Sequence, residues 1–264
     1  MSDLRHLVHQ PCELLRPYVR EMLWITSHLP RTQVLLPETS FTLMLRQAGA
    51  GTLNGRPLAN AILSGLQRRT RAAHHSVGSS ILIVRFTEIG AAVLLRDRVD
   101  LLYNRSFALD TILPPSLVDR LQNQIADAPS PQQKFAICER FLLDHLDPQA
   151  VPSAPIHAAI QLIRSSQGKL PITAVAQRVA MSQSALERHF SAAVGASPKA
   201  FSRLVRLHHV CGLWDQGLSL TEIAHAAGYT DQPHFNRDFQ AFTGTAPMEF
   251  LSSSHPRNLP TFYK

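Results

Sequence analysis

The spacing of hydrophobic positions along this chain changes twice. Between residues 32 and 86 it comes in short apolar segments, Thr32 to Leu36, Phe41 to Arg46, Ile62 to Ser64 and Ser80 to Phe86. Gly49-Ala50-Gly51 and Asn54-Gly55 punctuate them, and an Asn-Gly pair between short apolar runs is a hairpin signal. These segments predict a small antiparallel β unit. From Ala91 the spacing becomes helical through Val93, Leu94, Val99, Leu101 and Leu102. Leu117 to Ile125 and Gln132 to Leu146 then read as amphipathic helices, set apart by Pro114-Pro115-Ser116 and Pro129-Ser130-Pro131.

The second change follows Asp147-Pro148-Gln149-Ala150-Val151-Pro152-Ser153-Ala154-Pro155, whose prolines suit a short, semi-stiff linker and not a helix interior. Beyond it the pattern is helical almost throughout, beginning with Ile156 to Ser165 and a stop near Gly168. An internal repeat dominates this part. Leu170, Thr173 and Ala176 recur as Leu218, Thr221 and Ala224; Phe190, Gly195, Pro198 and Phe201 recur one residue out of step as Phe239, Gly244, Pro247 and Phe250.

Each copy reads as helix, tight turn, helix. In the first, Ile172 to Val179 leads through Ala180-Met181 to a helix capped by Ser182 and running to about Val194. In the second, Thr221 to Ala227 leads through Gly228-Tyr229 to a helix capped by Thr230 or Asp231 and running to about Phe242, with Pro233 tolerated in its first turn. Small Ala176 and Ala224 let the paired helices approach. Leu186 with Phe190, and Phe235 with Phe239, are four apart and share the inward face. The outward faces are polar, with Ser184, Glu187 and Arg188 on one and Gln232, His234 and Arg237 on the other. Such a helix suits the DNA major groove. Lys199 to about Asp215 predicts a connecting helix about 25 Å long, against about 34 Å between successive major-groove faces; a stiff connection of this length asks the duplex to bend.

Composition agrees with a folded, DNA-facing chain. Its 264 residues suit two domains of ordinary size or one large one, and with 45% hydrophobic and 17% charged residues the chain can build real cores. Net charge is +7, and from Ala154 onward 10 Lys and Arg stand against 6 Asp and Glu, the denser surplus of the two halves. There is no apolar run of membrane-spanning length, and Met1 to His6 lacks the flank of a secretory signal, so a soluble, cytoplasmic protein is expected. Cys12, Cys138 and Cys211 are far apart and read as buried or free thiols. His74-His75 would point apart on a strand with no matching carboxylate, and His208-His209 lies on the connecting helix, so neither predicts a metal site. Arg68-Arg69 with Arg71 reads as a solvated loop in preference to an acidic-ligand site. Arg206 reads as an ion-pair partner of the connecting helix and not as a base reader.

From Ile156 to Leu251 the chain strongly resembles the AraC/XylS family of bacterial transcription regulators. The likeness rests on Ala176, Ser182, Leu186, Arg188, Phe190, Gly195, Pro198, Arg206 and Leu207, then Ile223-Ala224, Gly228-Tyr229, Phe235, Arg237, Phe239, Gly244 and Pro247. Val210 and Leu251 depart from the family's usual alanine and arginine. The resemblance implies seven helices holding two helix-turn-helix units. It implies DNA contacts from Ser182, Gln183, Ser184, Glu187 and Arg188 in the first, and from Gln232, His234 and Arg237 in the second. Glu187 would accept from a cytosine amine. More loosely, Leu15-Arg16-Pro17-Tyr18-Val19, Leu36-Pro37 and the Asp97 to Leu102 stretch resemble the cupin-like sensory domain of such regulators, which implies effector sensing or homodimerisation without naming the effector.

The expected fold is therefore α+β: a sensory or dimerisation domain over residues 1–147, with a small antiparallel cupin-like β unit and a helical tail; a linker over 148–155; and an all-α DNA-binding domain over 156–255. The expected function is sequence-specific transcription regulation on double-stranded DNA, with no catalytic residues, metal or cofactor. Activation, with RNA polymerase as partner, and repression both fit. Two other classes compete. A DNA-repair methyltransferase carrying this module needs an activated cysteine among zinc ligands, and Cys12 and Cys138 stand isolated. An interaction protein with a dispensable DNA module would lack salt-dependent binding to a defined promoter fragment.

Overall fold

A computed structural model of the chain describes residues 4–95 and 99–252. The first part is built on two antiparallel sheets. One orders β1 (Leu4–His9), β2 (Val19–Ser27), β9 (Ser79–Phe86), β4 (Thr42–Ala48), β7 (Ala61–Ser64) and β10 (Ser106–Ala108) side by side; the other orders β3 (Arg31–Leu35), β8 (Arg71–His75), β5 (Gly51–Leu53) and β6 (Arg56–Pro57). All four predicted strands are present, and the unit is larger than expected. Asn54-Gly55 forms the anticipated two-residue turn, with Leu53 facing Arg56 and both turn residues at positive φ.

Three of the unpredicted strands have local reasons for escaping notice. The exposed edge strand β1 has no buried face to impose alternation. In β2 a register irregularity between Val19 and Glu21 breaks the two-residue period. The β8 sequence Arg-Ala-Ala-His-His has little strand propensity, and pairing on both sides, with β3 and β5, holds it extended.

Helices follow as expected: α1 (Gly90–Leu95), a 3-10 turn at Val99–Leu102, α2 (Pro115–Asp127) and α3 (Pro131–His145). Pro115 and Pro131 stand in the first turns of α2 and α3, where a missing N–H costs nothing. Of the Asp97 to Leu102 stretch, residues 97 and 98 lie outside the described residues, as do residues 1–3 of the chain start and residues 253–255 at the end of the expected DNA-binding segment. Pro148–Ala150 makes a 3-10 turn, and Pro155 belongs to the first turn of α4 (Ala154–Ser165).

Six more helices follow among the described residues: α5 (Ile172–Arg178), α6 (Gln183–Val194), α7 (Pro198–Asp215), α8 (Leu220–Ala226), α9 (Gln232–Thr243) and α10 (Pro247–Ser252). Val210 and Leu251, the two departures from the family pattern, are fully packed in the core.

One contiguous apolar cluster runs from Leu15 and Phe41 in the sheets to Phe239 and Leu251 in the helices. The 3-10 turn at Val99–Leu102 and α1 pack against α6. Gly195 ends α6 at φ +79°, and a Cβ there would sit 2.6 Å from the Phe41 ring, so this approach of the two halves needs glycine. Thr70 N–H donates to the Phe242 carbonyl at 2.8 Å, and its hydroxyl donates to the Thr243 carbonyl at 3.3 Å. His208 Nε2 donates to the Pro37 carbonyl at 2.7 Å, and Glu88 pairs with both Arg20 and Arg164. The β-rich half thus holds α9 at its C-terminal end and packs against α6, with Gly195 at that helix's end.

Candidate nucleic-acid interface

The first helix-turn-helix unit is α5, a turn, and α6. Ser182 Oγ accepts from the Ala185 N–H at 3.2 Å, satisfying one of the orphan donors that open α6. The second unit is α8, a turn, and α9. Ser219 and Glu222 form a reciprocal capping box on α8, and Asp231, of the two expected candidates, caps α9 by accepting from the His234 N–H at 2.7 Å. The α5 cap position, by contrast, is Pro171, with no side-chain cap bond.

The repeat has a single packing logic. Ala176 and Ala224 are buried in the first helix of each unit, and Leu186, Phe190, Phe235 and Phe239 are sealed inside. Ser182, Gln183, Ser184, Glu187 and Arg188 are all exposed on α6 or its cap, and Gln232, His234 and Arg237 are all exposed on α9. The eight positions form two polar ridges backed by packed aromatic and aliphatic faces. Tyr229 meets the His234 ring edge-on at 5.3 Å. The connecting helix α7 has 18 residues, about 27 Å.

A polar network locks α9 to α7, and the sequence reading missed it. Asp238, on the half-buried flank of α9, accepts from Arg203 Nε at 2.9 Å and from the Tyr229 hydroxyl at 3.0 Å. Burial, then the Asp238 charge, pushes the Tyr229 hydroxyl up from its ordinary pKa, so it stays a donor. Arg203 also lies over the Phe242 ring. Arg206 is structural, as expected, though not as an ion pair: its Nη2 donates to the Gly168 carbonyl at 2.6 Å and its guanidinium lies over Tyr229.

The remaining candidates separate cleanly. His74 is exposed against Thr32; His75 is buried, with Nδ1 3.2 Å from Arg46 Nη2. Among the described residues no group of three His, Cys, Asp or Glu is placed to hold a metal ion. Burial, then a nearby carboxylate, pushes the Cys138 and Cys211 thiols up to about 12, which keeps them protonated and poorly nucleophilic at neutral pH. Arg68 and Arg69 are exposed, whereas Arg71 lines a cavity between the two sheets. Among the described residues no helix is long and apolar enough to cross a membrane.

Residues 157–253 match the helix-turn-helix domain family. The chain is a DNA-binding transcription regulator. Its helix-turn-helix domain is of the AraC type. Among solved structures, ToxT from Vibrio cholerae is similar over 95% of this chain and 98% of its own, at 11% identity and a TM-score of 0.46. The C-terminal domain of AraT, a response regulator from Geobacillus stearothermophilus, is similar at 26% identity over 38% of this chain and 84% of its own, with a TM-score of 0.36. A probable AraC family transcriptional regulator from Rhodopseudomonas palustris is similar at 26% identity over 38% of this chain and 95% of its own, with a TM-score of 0.33. A comparison with curated protein sequences finds no match.

Proposed function

We propose that the regulator reads its operator through two ridges, Ser182, Gln183, Ser184, Glu187 and Arg188 on the first unit and Gln232, His234 and Arg237 on the second. The observation that carries this reading is their common exposure on helices whose opposite faces are buried. Arginine supplies bidentate donors for guanine, and glutamine and serine supply adaptable donors and acceptors. The length of α7 favours neighbouring grooves on one side of a bent duplex. Residues 156–255 serve as the DNA-binding domain, 148–155 as linker, and 1–147 as a sensory domain that binds a small effector and pairs two copies. The protein works in the cytoplasm, without catalysis, and an activating role would bring RNA polymerase as partner.

Footprinting and titration on the operator test the reader assignment. Arg188→Ala and Arg237→Ala each weaken specific binding by about 1–3 kcal/mol and leave circular dichroism unchanged. The slope of log affinity against log salt is about −0.9 per phosphate neutralised. Wild-type affinity and footprint in both variants would remove these two residues from the reading set.

A further inference from the structure

The slot between the two sheets has a volume of about 140 Å³. Ile25, Met44, Leu53, Ile81 and Ile83 give it mostly hydrocarbon walls. An apolar cavity near 150 Å³ takes a benzene-sized molecule, and ordinary pockets for larger ligands start at about 300 Å³. Arg31, Gln33, Glu38, Arg71 and His75 also line it and do not suit a hydrocarbon slot. Arg71 enters from the first position of β8; its Nη1 donates to Ser106 Oγ at 2.7 Å, and Ser106 Oγ lies 2.8 Å from Ser64 Oγ. Among the described residues no carboxylate pairs with it. Burial lowers its pKa to about 10, so it remains a cation at neutral pH.

The other ionisable groups of the slot are engaged with other residues or line its opposite end. Glu38 is bound by Arg85 at 3.2 Å, and His75 is bonded to Arg46. Arg31 lines the opposite end: it faces His75 across the β3–β8 pair, while Arg71 faces Leu35. A guanidinium carries five donors in a fork that matches a carboxylate. We propose that the slot binds a compact monocarboxylate with an apolar body of six to eight carbons, its head on Arg71 beside the Ser64 and Ser106 hydroxyls and its body between Met44, Ile81 and Ile83. This rests on the reading of the β-rich half as the sensor. The anchor also lies one peptide unit from Thr70, which holds the C-terminal end of α9, so occupancy at Arg71 bears directly on the second ridge.

Isothermal titration of the full chain with benzoate, cyclohexanecarboxylate and octanoate, each beside its uncharged amide, tests the assignment, with hexadecanoate as the long-chain control. At least one of the three short acids binds tenfold or more tightly than its amide. Arg71→Gln removes that preference while keeping the unliganded melting temperature, Arg71→Lys restores part of it, and Arg31→Gln leaves affinity within threefold. Equal binding of acids and amides, loss of binding in Arg31→Gln alone, or binding of hexadecanoate alone overturns the proposal. If no acid binds while the operator is still footprinted, the ligand assignment fails and the DNA reading survives. If an acid binds through Arg71 yet operator affinity does not respond, the ligand class stands and the sensor reading fails.

Discussion

Ala180 holds the backbone of the first turn at φ +54°, the position that Gly228 fills at φ +75° in the second. A side chain in this left-handed region costs about 1–2 kcal/mol, and glycine returns part of that through its unfolded-state freedom. Ala180→Gly therefore stabilises the protein by about 1 kcal/mol, read as a higher denaturation midpoint at unchanged m-value. His75 makes a second prediction. Burial, then Arg46, Arg31 and His74, pull its pKa down to about 4 from the ordinary 6.5, and Gln33 and Arg46 face the ring. The unfolded chain takes up this proton first, so the stability contributed by neutral His75 is complete above pH 6.5 and drains away as the pH falls toward 4. The gap corresponds to roughly 3 kcal/mol. Chemical denaturation of wild type and His75→Gln across that window checks it: the wild type loses more stability on acidification, and parallel profiles would refute the assignment.

At the scale of elements, orientation of α9 depends on Asp238, which answers two donors from outside its own helix, Arg203 on α7 and Tyr229 in the turn. The Arg203 pair is partly solvent-exposed, so its Coulombic part is modest; the larger loss on truncation is an unanswered Tyr229 hydroxyl. Asp238→Ala costs about 1–2 kcal/mol of stability, and operator affinity falls threefold to tenfold although Asp238 is not among the proposed readers. A double-mutant cycle with Arg203→Met measures the coupling, and additive effects would show that the pair does not position the helix. This network also marks the limit of legibility in the sequence. The boundaries of α6 and α9, their caps, and the exposure of all eight ridge positions follow from helical period, cap residues and the repeat, because each is a local or periodic property. Asp238 and Arg203 are 35 residues apart and carry no pattern announcing their meeting. The same holds for Arg71, which reads as one arginine of a solvated run until β8 is paired on both sides and turned to face the slot. Strands β1, β2 and β8 escaped for a related reason, since an edge, a bulge and a poor strand former each erase alternation.

For the whole molecule, the decisive fact is that the apolar core does not stop at residues 148–155. It passes from Phe41 in β4's approach to Gly195 at the end of α6, and the polar contacts of Thr70 with α9 and of His208 with Pro37 lie beside it. Two domains joined only by a tether would melt separately, and substitutions at their contact would move neither transition. A shared core instead makes opening of either half expose apolar surface on the other, which couples them into one cooperative unit. Calorimetry should then give a single endotherm whose van't Hoff and calorimetric enthalpies agree. His208→Leu leaves the Pro37 carbonyl unanswered and Thr70→Val removes a donor to Thr243, each costing about 1 kcal/mol and lowering the shared melting temperature by roughly 2–4 °C. Two resolved endotherms in the wild type, or contact variants that leave the melting temperature unmoved, would mean that the halves are merely adjacent. A signal received between the sheets would then need a route to α9 other than this shared packing.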